Sequence, residues 1–77
     1  MGKAELALAR HRTSQYQWFA RRYRDDASEE QYKAEEALRS ADPEMERIHR
    51  AGTASATRIA RFYEKEAEWL EERLARD

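Results

Sequence analysis

Only Gly2, Pro43 and Gly52 punctuate a chain of 77 residues, and its sole β-branched aliphatics are Ile48 and Ile59. Strands draw on valine, isoleucine and threonine, and hairpin turns on glycine, proline and asparagine. Valine and asparagine are absent here. The chain therefore reads as all-α, in one helical domain spanning 1–77. It has no cysteine, which excludes a disulfide framework and any Cys-based metal site. No run approaches the ~18 apolar residues of a membrane span, and no signal-peptide core is present. A soluble protein without a targeting signal, cytoplasmic on expression, is the expectation.

The apolar mass is thin. Of the 31 hydrophobic residues, 14 are alanine, and Leu, Ile and Phe together supply only nine. Surface scaling for 9.2 kDa gives ~4,900 Å² folded against ~13,300 Å² unfolded, a marginal burial of about 63%. Disorder would normally need a large net charge, and here it is −1. A core of aromatics and alanine, reinforced by a partner or a second copy, is the alternative.

The periodicity predicts a small three-helix bundle, about 3–25, 28–41 and 43–75, open to completion by dimerisation. The first helix carries Leu6, Ala9, Thr13, Tyr16, Ala20 and Tyr23 in alternating steps of three and four. Asp25-Asp26-Ala27-Ser28 then breaks the apolar pattern, and Ser28-Glu29-Glu30-Gln31 has the form of a capping box. Asp42-Pro43-Glu44 is the strongest start signal, with Asp as cap, Pro in the first helical position and Glu at the positive end of the dipole. The stripe Met45, Ile48, Gly52, Ser55, Ile59 keeps phase through the glycine, which favours one helix there. A second architecture stays open: Ala27 to Gly52 also keep phase across Pro43, giving three near-equal helices with a kink at Pro43 and a stop at Gly52. Tyr16, Leu38, Met45, Ile48, Ile59, Tyr63, Leu70 and Leu74 are the expected core.

Charge is segregated. Residues 1–25 carry six basic and two acidic groups, net +4, and residues 26–42 carry two and six, net −4. Residues 43–77 carry seven and eight. Neighbouring helices would attract, and the basic first helix could also face an acidic partner.

Few motifs carry chemistry. Glu46-x-x-His49 has metal-ligand spacing and resembles the Glu-x-x-His element of di-iron carboxylate bundles. Such a site would need a second copy and a further carboxylate such as Glu30 or Glu35, and the stripe turns Glu46 outward. No metal or other cofactor is therefore expected. His11 and Ser14 stand three apart with no acid to orient the histidine and no glycine-rich turn for an oxyanion, so the chain reads as non-enzymatic.

The first helix offers an interaction surface instead. Trp18 points away from the Tyr16 stripe, and Leu8, His11, Gln15, Trp18, Phe19 and Arg22 form a candidate protein-binding patch of the Trp- and Arg-rich kind that dominates interfaces. Seven small residues, Ala51 to Thr57, create the pairs Ala51/Ser55 and Gly52/Ala56 for close helix packing. Residues Arg12 to Arg24 also resemble recognition helices of transposase-type helix-turn-helix proteins. That resemblance implies base contacts from Arg12, Ser14, Gln15 and Gln17, and phosphate contacts from Arg21, Arg22 and Arg24. The net charge of −1 and pI near 6.1 disfavour a nucleic-acid partner.

Over its full length the chain resembles computationally designed helical-bundle miniproteins. The resemblance lies in the Ser-Glu-Glu and Asp-Pro-Glu helix starts, the Ala/Glu/Arg-rich surfaces, the missing Cys, Val and Asn, and the Met-Gly opening. It implies binding or assembly through a helix face, with a protein partner or a second copy and no membrane. DNA binding by the basic first helix and a metal or small-ligand site in a dimer core are the alternatives.

Overall fold

The computed structural model describes residues 2–76 and contains two α-helices joined by a tight turn. Helix α1 spans Lys3–Arg39 and helix α2 spans Pro43–Arg76. They form one antiparallel hairpin with Cα extents of 58 × 13 × 13 Å. The radius of gyration is 17.2 Å, against about 11.5 Å for a globular chain of this length.

The all-helical expectation and the start at Pro43 hold. The three-helix bundle does not, because the chain stays helical through Asp25-Asp26-Ala27-Ser28. Asp and Ser inside a helix cost about 0.5 kcal/mol each relative to alanine. A break there would also throw the inward-facing residues out of register. Thr13, Ala20, Ala27 and Ala34 are all buried and lie seven residues apart, so one continuous helix keeps them on one line. The capping-box residues Ser28 to Gln31 are interior to α1. The second architecture also fails. Gly52 lies inside α2 and ends nothing, and Pro43 begins a new helix after a reversal of direction.

The turn is fully bonded. Ser40 closes α1, Ala41 takes the left-handed conformation at φ 55°, and Asp42 starts α2. The Ala41 N–H donates to the Leu38 carbonyl at 3.1 Å and the Asp42 N–H to the Ala37 carbonyl at 2.8 Å. These are the two bonds of a Schellman motif. The Asp42 carboxylate accepts from the Met45 N–H at 3.2 Å, satisfying one of the four free donors of a helix start.

Both helices follow a strict heptad. The α1 seam runs Leu6, Ala9, Thr13, Tyr16, Ala20, Tyr23, Ala27, Glu30, Ala34, Ala37, and the α2 seam runs Glu46, His49, Thr53, Ala56, Ala60, Tyr63, Ala67, Leu70, Leu74. A sustained seven-residue period keeps two seams in contact when the helices coil left-handedly. Ala34 and Ala60 are wholly buried, and among the described residues no large side chain is. Alanine at the seam is what lets the two backbones approach.

This shifts the expected core. Tyr16, Tyr63, Leu70 and Leu74 lie half-buried in the seam, but Leu38, Met45, Ile48 and Ile59 are exposed. A two-helix hairpin buries one stripe per helix, and the buried positions of that stripe are alanines and Thr13. The bulkier stripe on α2 is left outside.

Candidate functional site

Tyr63 anchors the far half of the seam. Its ring stacks on Phe19 at 5.1 Å and on Tyr23 at 6.0 Å, lies tilted to Tyr16 at 5.8 Å, and meets Phe62 edge-on at 5.3 Å. Offset and edge-on arrangements suit the ring quadrupole. Trp18 touches the edge of this cluster through Phe19, at 5.2 Å in a T shape, and is 55% exposed. Leu8 is equally open, and His11, Gln15 and Arg22 are exposed. Only Phe19 of the expected patch is drawn partly into the seam.

The larger surface lies on α2. Met45, Ile48, Ile59, Phe62 and Trp69 are all exposed, with Phe62 at 57% and Trp69 at 53%. They fall on a second heptad stripe, 45, 48, 52, 55, 59, 62, 66, 69, one residue round from the seam. Leu8 continues it across the groove: Leu8, Arg12, Trp69 and Arg73 line one concavity. The Arg73 guanidinium stands 4.8 Å over the Trp69 ring, a cation–π placement. Sequence reasoning took Met45, Ile48 and Ile59 for core and left Trp69 unassigned. The usable signal was two parallel heptads on one helix, the alanine-rich one being the inner.

The opposite flank is polar and closed. Arg24 grips Glu64 with both arms, Nε at 3.0 Å and a terminal nitrogen at 2.8 Å. That bond, with the charge attraction behind it, raises the guanidinium pKa and lowers the carboxyl pKa. Gln17 donates to Glu71 on the same flank. A shallow groove lined by Gln17, Arg24, Glu64 and Glu71 results. Arg24, a phosphate contact in the helix-turn-helix reading, is thus occupied within the chain, and residues 12–24 sit inside unbroken α1.

Nearer the turn the seam carries a polar layer. His49 Nδ1 stands 2.6 Å from a Glu30 carboxylate oxygen, and an ionised carboxylate can only accept, so the ring nitrogen donates. This hydrogen bond chiefly lowers the Glu30 pKa against the opposing effect of desolvation, helped by the charges of His49 and Lys33. Gly52 makes room for it: a Cβ there would lie 2.9 Å from a Glu30 oxygen. Glu46 instead accepts from Arg50 at 2.7 Å. The proposed Glu46/His49 pair is therefore split between two partners, and among the described residues no group of three or more His, Cys, Asp or Glu is placed to hold a metal ion.

The small-residue motif is divided too. Ala56 is buried against α1 and Gly52 half-buried under Glu30, whereas Ala51 and Ser55 are exposed. Successive helix positions differ by 100°, so one packing partner cannot cover both pairs. Among the described residues no helix is long and apolar enough to cross a membrane.

The fold thus defines an alanine-seamed antiparallel helical hairpin with one apolar outer stripe. No protein-family model, curated protein or solved structure matches the chain.

Proposed function

We propose that this hairpin is a non-enzymatic protein-interaction module that docks through the outer stripe of α2, with Leu8 and Trp18 at its margins. The observation that carries the reading is the distribution of apolar mass. Among the described residues no large side chain is fully buried, while Met45, Ile48, Ile59, Phe62 and Trp69 line one exposed helix face. Scattered exposed hydrophobes are ordinary, but these share one heptad face, in two groups parted by Gly52 and Ser55, and a shared apolar face is how amphipathic helices meet a groove or another helix. Trp is among the residues that most often dominate interfaces, and Trp18 and Trp69 are both more than half exposed.

Selection of amphipathic helical peptides from a display library tests this. Peptides should bind the native chain and lose binding at least tenfold to Phe62→Glu, with far-UV circular dichroism unchanged. Loss of helicity in Phe62→Glu would make the stripe structural and contradict the reading. So would peptides that bind the variant as well as the native chain.

A further inference from the structure

We infer that the occupant of the outer stripe is a second copy of this chain, packed antiparallel through α2 with its two-fold axis level with Thr57. The inference rests on the interaction-module reading and adds the identity and register of the partner.

Surface area is the first argument. The hairpin exposes 5933 Å², about 1,000 Å² more than the ~4,900 Å² of a compact chain of this mass. A standard protein interface takes ~800 Å² from each partner. One copy laid along the stripe would remove about that excess.

The register comes from shape. The stripe reads bulky at Met45 and Ile48, small at Gly52 and Ser55, and bulky again at Ile59, Phe62 and Trp69, with the charged Glu66 between the last two. Two such stripes cannot pack in parallel register without setting bulk on bulk and hollow on hollow. Antiparallel about Thr57, Ile59 comes level with the partner's Ser55, Phe62 with the partner's Gly52 and the Glu30 side chain that crosses it, Glu66 with the partner's Ile48, and Trp69 with the partner's Met45. Each pairing joins the two inward positions of the heptad, as antiparallel packing requires.

Charge supplies an independent check. The stripe lies 100° round α2 from the seam, so a neighbour seated there stands at about a right angle to α1. That is the square plan of a four-helix bundle, and it lays each α1 beside the α1 of the partner, also antiparallel. Arg24–Glu64 and Glu30–His49 tie the two helices at known levels. Midway between them Thr57 stands opposite Ala27. The charge of the chain reverses there, from net +4 over residues 1–25 to net −4 over residues 26–42. An axis at Ala27 lays residues 15–25 of each α1, net +2, along residues 29–39 of the other, net −2, while residues 3–14 extend past the end of the partner's α1. The Ile59–Ser55 layer on α2 and the net segment charge on α1 both suit this axis.

The chain has no cysteine, so spin labels can be placed singly at the exposed positions Glu44, Arg58 and Glu72. Pulsed dipolar spectroscopy of the Arg58→Cys protein should give an interlabel distance under about 20 Å, the ~10 Å between packed helices plus the label arms. Glu44→Cys should give about 39 Å and Glu72→Cys about 45 Å, from axial offsets of about 26 and 30 residues at ~1.5 Å each. Short distances at all three sites mean a parallel dimer and overturn the inference. A long distance at Arg58 moves the axis and does the same. A chain that stays monomeric by light scattering overturns the second-copy partner alone, because helical peptide binding blocked by Phe62→Glu would still support the module. A dimer that survives Phe62→Glu overturns both.

Discussion

Gly52 sits inside a helix for a reason that lies on the other helix. Glycine suggests a helix end, yet this one lies inside α2, where the Glu30 carboxylate crosses the backbone on its way to His49. Two effects compete on replacing it. Alanine improves helix propensity by about 0.5–1 kcal/mol, but its Cβ evicts the carboxylate. Gly52→Ala should therefore raise the melting temperature clearly in a Glu30→Ala background and by much less, or not at all, in the native chain. Such non-additivity marks directly coupled residues, and equal effects in both backgrounds would refute the contact. The two bonded carboxylates also set an acid limit. Glu30 and Glu64 have pKa values below the ordinary carboxylate value. Their contribution is complete above the unfolded pKa of about 4.3 and is lost as pH falls through the lower folded values. Thermal melts below about pH 4 should show the native chain losing stability faster than Glu30→Gln/Glu64→Gln, and parallel acid limbs would contradict this.

At the scale of elements, the seam and the turn make separate demands. Ala60 is wholly buried in the seam, so Ala60→Leu should destabilise by about 1–3 kcal/mol by overpacking. Ala54→Leu, on the exposed side of α2, should change stability by no more than about 0.5 kcal/mol. Chemical denaturation distinguishes the two. Ala41 holds a left-handed backbone at φ 55°, a conformation that disfavours a Cβ. Ala41→Gly should stabilise by about 0.5–1 kcal/mol, or several degrees in melting temperature for a chain of this size; an unchanged or lower melting temperature would argue against the strain. These elements also show what the sequence made legible. Helicity, the Asp42-Pro43 start and the unbroken run through Gly52 follow from local chemistry that neighbours do not override. Continuity through Asp25 to Ser28 was not legible, because Asp and Ser cap helices as readily as they sit within them. Which α2 stripe faces inward was equally hidden. Met45, Ile48 and Ile59 keep the same period as Thr53, Ala56 and Ala60, and ranking residues by bulk chose the wrong one.

As a whole molecule the hairpin is a rod 58 Å long with an alanine seam inside and its larger apolar side chains along one outer line. The exposure of Trp18 was legible in sequence because Trp18 lies off the Tyr16 stripe. The fuller surface on α2 was not, since Trp69 and Phe62 gain meaning only once α1 is seen to cover the adjacent stripe. Polar pairs close one flank, Arg24–Glu64 and Gln17–Glu71, and leave the other free. In the proposed dimer a second copy covers the free flank. Light scattering across micromolar to millimolar protein tests this most directly. The native chain should rise from its own 9.2 kDa to twice that mass, while Phe62→Glu stays at the single-chain mass with its helicity intact. A native chain that remains at one chain mass throughout, or a Phe62→Glu variant that doubles as the native chain does, would contradict it.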